Sequence, residues 1–279
     1  MNRLRLLLIA HGSRDPRYAA SFERLRADLA REGHAAQVGH LGLCGPDVVE
    51  AARRLARVVP ENPAEPIVAV PMFLNQGYHV AHDVPAVLGR ARTALASRAR
   101  IAVAAPLGPD PLLTEAMESR LRELGVWPGD PDTAVVLASA GTSDPAARAV
   151  LEAAAGRWAR TGWHSVIPAY AGAAAPDAAR AVASARAAGA RDVVIASYFL
   201  APGLLADRIA TAAPRIAMAA PFATPAQVDP ALPRLVLRRA AEACAAEAAT
   251  GSAPTVNQGP HTRGGRPRSG VRSGSALRR

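Results

Sequence analysis

Apolar and polar positions along this 279-residue chain switch between two periods. Short runs rich in Leu, Val and Ile near 4–10, 35–41, 66–72 and 101–105 read as buried strands. Between them, apolar residues recur at helical spacing near 17–32, 46–58, 80–97 and 110–124. Strands alternating with helices predict an α/β fold, a parallel sheet with helices on its faces. Pro46, Pro111 and Pro145 stand where first helical turns are expected. The stretch GVWPGDPDTA, residues 125–134, reads as a connector.

After the connector the pattern restarts. VVLASAGTSDP echoes LLLIAHGSRDP, and AYAGAAAPDAARAV echoes GHLGLCGPDVVEAA. VIASYFLAPG echoes VAVPMFLNQG, and IAMAAPFA echoes IAVAAPLG. The offsets are 129, 130, 126 and 115 residues, in the same order in both halves. The chain is therefore expected to hold two tandem lobes, 1–125 and 133–249, each a small parallel sheet flanked by helices. Strands of the second lobe are expected near 134–139, 164–169, 192–199 and 215–220. Residues 250–279 are rich in Gly, Ser, Pro and Arg with almost no large apolar side chains, and a disordered tail is expected there.

The net charge of +10 overstates how basic the body of the chain is. All basic residues are Arg, and six of the ten net charges lie in residues 251–279, leaving +4 on the rest. A mildly basic body does not point to nucleic acid. No apolar stretch reaches the roughly 18 residues a membrane span needs, and the run from Leu6 to Ala10 is too short for a signal-peptide core. The expectation is a cytoplasmic protein. Cys44 and Cys244 are too far apart in sequence to suggest a zinc knuckle or a disulfide framework.

Two apolar runs end near a histidine: His11 in LLLIAHGSRDP and His79 in FLNQGYHVAHDVP. Segments just past the carboxyl ends of parallel strands line the ligand crevice of such folds. The second lobe keeps the Gly, Phe, Leu and Pro framework but puts Ala140 opposite His11 and Leu205 opposite His79. Scaffold needs alone do not select His in one copy and Ala or Leu in the other. The pair is therefore the candidate for metal binding, proton transfer or both. Gly12 and Ser13 can offer backbone amides, Arg14 and Arg17 can offer guanidinium forks to carboxylates, and Asp83 can orient an imidazole through its second nitrogen. Neither GxGxxG nor GxxxxGK[ST] is present, which argues against nucleotide binding. Ala10 stands where a histidine phosphatase carries the Arg of its Arg-His-Gly motif.

HGSRDP, the helix opening at GPDVVEA, FLNQGYHVAHDVP and PLGPDPLLTEAM together resemble the class II tetrapyrrole chelatases, and most closely the sirohydrochlorin chelatases, from about Leu4 to Leu124 and in diluted form to about residue 245. The resemblance implies insertion of Fe²⁺ or Co²⁺ into sirohydrochlorin, for sirohaem or cobalamin, with the tetrapyrrole between the lobes. It inclines to iron. It implies that His11 and His79 handle the metal and accept protons, with no organic cofactor and the divalent metal as a substrate. Gly77 and the carboxylate-reaching Arg14, Arg17 and Arg208 are then expected to contact the substrate. The family's acid ahead of the second helix is replaced here by Gly42, and Asp47 or Glu50 can stand in only if that helix faces the cleft. The expected form is a monomer, since two fused copies build a whole cleft. The alternative reading is a non-catalytic tetrapyrrole or metal carrier. Insertion exchanges two pyrrole protons for a cation, and imidazole is the side chain whose ordinary pKa lies nearest neutrality. Neutral imidazole also suits first-row divalent ions.

Overall fold

A computed structural model describes residues 3–58, 65–77, 79–96, 98–172 and 174–251. The first lobe runs β1 (Arg5–Ala10), α1 (Pro16–Arg31), β2 (Ala35–His40), α2 (Val48–Ala56), β3 (Ile67–Pro71), α3 (Val84–Leu95), β4 (Ile101–Val103) and α4 (Pro111–Arg122). The second runs β5 (Thr133–Ser139), α5 (Pro145–Ala159), β6 (Ser165–Tyr170), α6 (Ala178–Ala187), β7 (Asp192–Ser197), α7 (Leu204–Ala212) and α8 (Ala231–Gly251). Both sheets are parallel, in the orders β2-β1-β3-β4 and β6-β5-β7.

The expected strand at 215–220 does not form. Only Met218 bridges to Ile195, through Ile195 N–H to the Ala217 carbonyl (2.9 Å) and Ala219 N–H to the Ile195 carbonyl (2.8 Å). Pro214 and Pro221 bracket this segment, and neither has an amide to extend a ladder. The helix expected from Pro46 starts later, because Asp47 is the N-cap of α2 and accepts the Glu50 amide. Pro111 and Pro145 do stand in the first turns of α4 and α5, behind the capping aspartates Asp110 and Asp144.

β1 is buried along its whole length because it is an inner strand of its sheet and both faces are covered. Leu7 and Ile9 face a core with Val48, Ala52 and Leu88 from α2 and α3. Leu6 and Leu8 face a larger core that also holds Val135 and Leu137 of β5 and Leu235 and Val236 of α8. Full burial of each such leucine contributes about 1.5–3 kcal/mol. The larger core thus joins both sheets. α8 packs on β3, β4 and α4, so the C-terminal helix crosses to the first sheet. Arg239 fixes the crossing, with Nε donating to the Pro106 carbonyl (3.1 Å) and Nη2 donating to Asp110 Oδ2 (2.9 Å). α8 continues through Gly251, and the rest of the expected tail lies outside the described residues. Among the described residues no helix is long and apolar enough to cross a membrane.

Candidate active site

The repeat is visible in the turns that follow the two inner strands. Gly12 has φ +94° and Gly141 has φ +87°, and a Cβ on either would lie within 2 Å of a backbone oxygen, 1.8 Å from Gly42 and 1.9 Å from Gly172. Only glycine accepts both constraints. Asp15 and Asp144 then cap α1 and α5, each accepting an amide two residues on, at 2.9 Å. Ser13 Oγ accepts the Asp15 amide at 3.1 Å, so this side chain serves the turn.

The same turn in the first lobe delivers His11 from the end of β1. His79 opens a single π turn, His79–Asp83, that leads into α3. π turns of this kind are uncommon and concentrate at functional sites. The two imidazole rings meet edge to face, with centroids 4.6 Å apart and an interplanar angle of 82°. Phe73 stacks on His79, with ring centroids 6.2 Å apart. Asp83 Oδ2 lies 2.6 Å from His79 Nδ1, and the Gly12 carbonyl lies 3.0 Å from His11 Nδ1. Both partners are acceptors, which assigns the proton to Nδ1 and the lone pair to Nε2 on each ring. Two imidazoles gripping one ion at about 2.1 Å per nitrogen and a tetrahedral angle have centroids about 5 Å apart. The observed centroid spacing of 4.6 Å is somewhat shorter than that, so the two rings lie near enough to share one ion after a small parting.

Two cavities meet at His79. The larger, about 490 Å³, lies between the lobes. Tyr18, Met72, Phe73, Leu74, Asn75, Gly77 and Val80 line it from the first lobe, and Ser139–Ser143 and Tyr198–Ala201 from the second. The smaller, about 260 Å³, is lined by His11, His79, Asp83, Arg90, the Leu41–Leu43 segment, Ala86 and Val87. A third cavity of about 410 Å³, around α4 and α5, holds neither histidine. Tyr198 spans the lobes by donating to the Leu74 carbonyl at 3.1 Å, and burial pushes its phenol up. Burial pushes the Tyr18 phenol up to about 12, outweighing the backbone groups of Gly12 and His11 that favour its ionised form.

The structure brings His11, His79, Asp83, Gly12 and Gly77 together around these cavities. It does not do so for all the expected arginines. Arg17 is engaged by carboxylates of the chain itself: its Nη2 lies 2.6 Å from Asp15 and 2.5 Å from Asp207 of α7. Arg17 thus reaches across the lobes to Asp207, the neighbour of Arg208, where contact with the substrate was expected. Arg208 and Arg14 are exposed and line none of the three cavities. Neither acid proposed to replace the one missing at Gly42 reaches the histidines. Asp47 caps α2, and Glu50 pairs with Arg54 one helical turn on. No cluster of three or more His, Cys, Asp or Glu suited to a metal ion occurs among the described residues. Tyr18, Phe73, Tyr198 and Arg90 escaped the sequence reading. Tyr198 carried a weak signal, an aromatic ring set opposite Met72 in the repeat comparison. Arg90 carried none, being one exposed helical arginine among many.

The CbiX family model matches residues 5–124 and again 134–243. The chain belongs to the CbiX family. The two CbiX matches fall on the two sheets with their flanking helices. A sirohydrochlorin cobaltochelatase of Methanopyrus kandleri is 31% identical over 139 residues, which is 42% of this chain and 94% of that protein. A whole relative therefore has the length of one CbiX repeat. SirB from Bacillus subtilis with Fe³⁺ superposes with a TM-score of 0.63 at 21% identity, covering 89% of this chain and 98% of SirB. The sirohydrochlorin chelatase SirB of Bacillus subtilis subspecies spizizenii in complex with cobalt gives 0.65 at 17% identity, covering 90% and 98%. At these identities the two SirB structures speak to the fold, which is shared across both lobes.

Proposed function

We propose that this chain is a sirohydrochlorin chelatase of the lyase class, inserting a divalent first-row metal into the macrocycle bound between its lobes. The observation that carries this is the His11–His79 pair, edge to face at 4.6 Å beside a cleft of about 490 Å³. The tetrapyrrole lies against Phe73, Tyr18 and Leu200, with its inner nitrogens toward the two imidazoles. The incoming ion, a substrate, is held by the two Nε2 atoms while it sheds water. Two imidazole ligands hold it long enough to orient it and weakly enough to pass it on, whereas a closed four-ligand cage traps metal. The same imidazoles take the two pyrrole protons as the metal enters. Asp83 stabilises the His79 imidazolium through the Nδ1 hydrogen bond. His11 has a neutral carbonyl, that of Gly12, at the equivalent atom.

The metal is Fe²⁺ or Co²⁺. The relative from Methanopyrus kandleri carries the name cobaltochelatase, which sets Co²⁺ first against the inclination to iron. We assign catalysis to His11 and His79, orientation to Asp83, substrate contact to the Gly12 turn and Gly77, the fold unit to a monomer, and the compartment to the cytoplasm. The deciding experiment incubates sirohydrochlorin with Co²⁺ or Fe²⁺ under anaerobic conditions and protein at one-twentieth of the tetrapyrrole. Metallated product in excess of the protein identifies an enzyme. Tetrapyrrole bound one-to-one and recovered unmetallated identifies a carrier.

A further inference from the structure

The 490 Å³ cleft has a wall poor in charge. Its lining includes His79 but no arginine, lysine or carboxylate among the described residues. A macrocycle fringed with carboxylates finds no cationic anchor there. The anchor stands in the adjoining 260 Å³ cavity, on Arg90 of α3. Arg90 lies seven residues after Asp83, two helical turns along the same face, so both side chains line this cavity with His11 and His79. Its guanidinium makes no hydrogen bond or ion pair among the described residues, in contrast to Arg17 and Arg54. Asp83, the cavity's one carboxylate, is already taken up by His79 Nδ1 at 2.6 Å. Five hydrogen-bond donors of one guanidinium and two imidazoles therefore face a space with no uncommitted acid. Gly42 also lines the cavity, and an added Cβ there would meet nothing within 4 Å. Leu41, Leu43 and Val87 supply an apolar rim, and Leu43 is 57% exposed there.

We propose that this cavity is a carboxylate-binding site, with Arg90 as its positioning and specificity-determining residue. The ligand is a carboxylate carried on an apolar body, either a side chain of the tetrapyrrole itself or a free short-chain acid. The forked guanidinium takes both oxygens, and Leu41 and Leu43 cover the carbon behind them. The first source rests on the proposed chelatase function; the site itself does not. Bound through its rim, the macrocycle is held at a fixed distance from His11 and His79. Arg90 therefore acts on affinity and on orientation and does not touch the exchanging protons.

The test compares full-length wild type with Arg90→Ala, Arg90→Lys and a remote control, Arg186→Ala on α6. One arm titrates propionate and follows the His11 and His79 ring-proton NMR signals. The other titrates metal-free sirohydrochlorin by absorbance and then measures insertion at saturation. We expect propionate to shift the histidine signals saturably in wild type and in Arg186→Ala, and not in Arg90→Ala. We expect the tetrapyrrole Kd to rise about tenfold in Arg90→Ala, with partial recovery in Arg90→Lys and kcat within about twofold of wild type. Loss of the propionate effect in Arg90→Ala with unchanged tetrapyrrole affinity identifies a free acid as the occupant. Propionate binding that depends on Arg90 in a protein that never binds sirohydrochlorin leaves the site standing and removes the chelatase reading. Identical titrations for wild type and Arg90→Ala in both arms overturn the proposal.

Discussion

The two glycine turns offer an experiment in which the protein supplies its own control. Gly12→Ala and Gly141→Ala make the same change at equivalent places, one beside His11 and one beside Ala140. Each puts a Cβ on a residue with φ near +90°, which costs about 1–2 kcal/mol. Each also sets that Cβ within 2 Å of a backbone oxygen, 1.8 Å at Gly42 and 1.9 Å at Gly172. Moving a backbone carbonyl out of the way adds about 1–3 kcal/mol. The total for either variant is about 2–5 kcal/mol. A protein of this size loses about 2–4 °C of melting temperature per kcal/mol, so each should melt roughly 4–20 °C early. The core shared by the two sheets makes both substitutions act on one transition. Thermal unfolding by circular dichroism reads the stability, and kcat at saturating tetrapyrrole, measured where both variants are folded, reads the chemistry. Gly141→Ala should keep most of its kcat. Gly12→Ala should lose tenfold or more, because relief of the clash moves the backbone that carries His11. Melting within about a degree of wild type would refute the close approach, and an equal loss of kcat in both would refute the special role of the first turn.

Asp83→Ala should lower kcat by about 10–100-fold through loss of the His79 Nδ1 contact, with a small change in melting temperature because Asp83 is well exposed; a kcat near wild type removes Asp83 from the mechanism. Tyr18→Phe should cost about 1 kcal/mol of stability in denaturant titration and lower kcat several-fold, since the buried hydroxyl sits against the backbone of His11 and Gly12. Burial pulls the His34 and His40 imidazoles below their ordinary range, so folding disfavours their protonated forms. Their contribution is therefore fully present above the unfolded imidazole pKa of about 6.5 and is lost as pH falls from there through the lowered folded-state value. His34 Nδ1 accepts the Leu4 amide at 3.2 Å, and His34→Asn, which keeps an acceptor and cannot titrate, should flatten the decline in melting temperature below about pH 6.5.

What the sequence disclosed depended on how local the physics was. The strands were legible because β1, β3 and β5 are buried on both faces and read as unbroken apolar runs. The repeat was legible because its turn glycines and capping aspartates answer to backbone geometry that both lobes share. The histidines stood out against that repeat. The missed features are those set by contacts distant in sequence. Residues 215–220 read as a strand from composition, yet the flanking prolines left them a single bridge. Arg17 and Arg208 looked equivalent as exposed helical arginines. The fold gave the cross-lobe contact to Arg17 and Asp207, and placed Arg90 beside the histidines. Those assignments depend on the relative placement of helices, which periodicity does not encode.

The proposed metal insertion by this chain requires His11 and His79 to act together. An anaerobic absorbance time course of sirohydrochlorin with Co²⁺ and with Fe²⁺ should be run on wild type, His11→Ala and His79→Ala, each checked for an unchanged melting temperature. The second lobe already carries Ala140 in the place of His11, so the turn tolerates that change. Acceleration over the spontaneous rate by wild type, reduced to near that rate in both variants, is the predicted result. Wild-type turnover by either folded variant would contradict it.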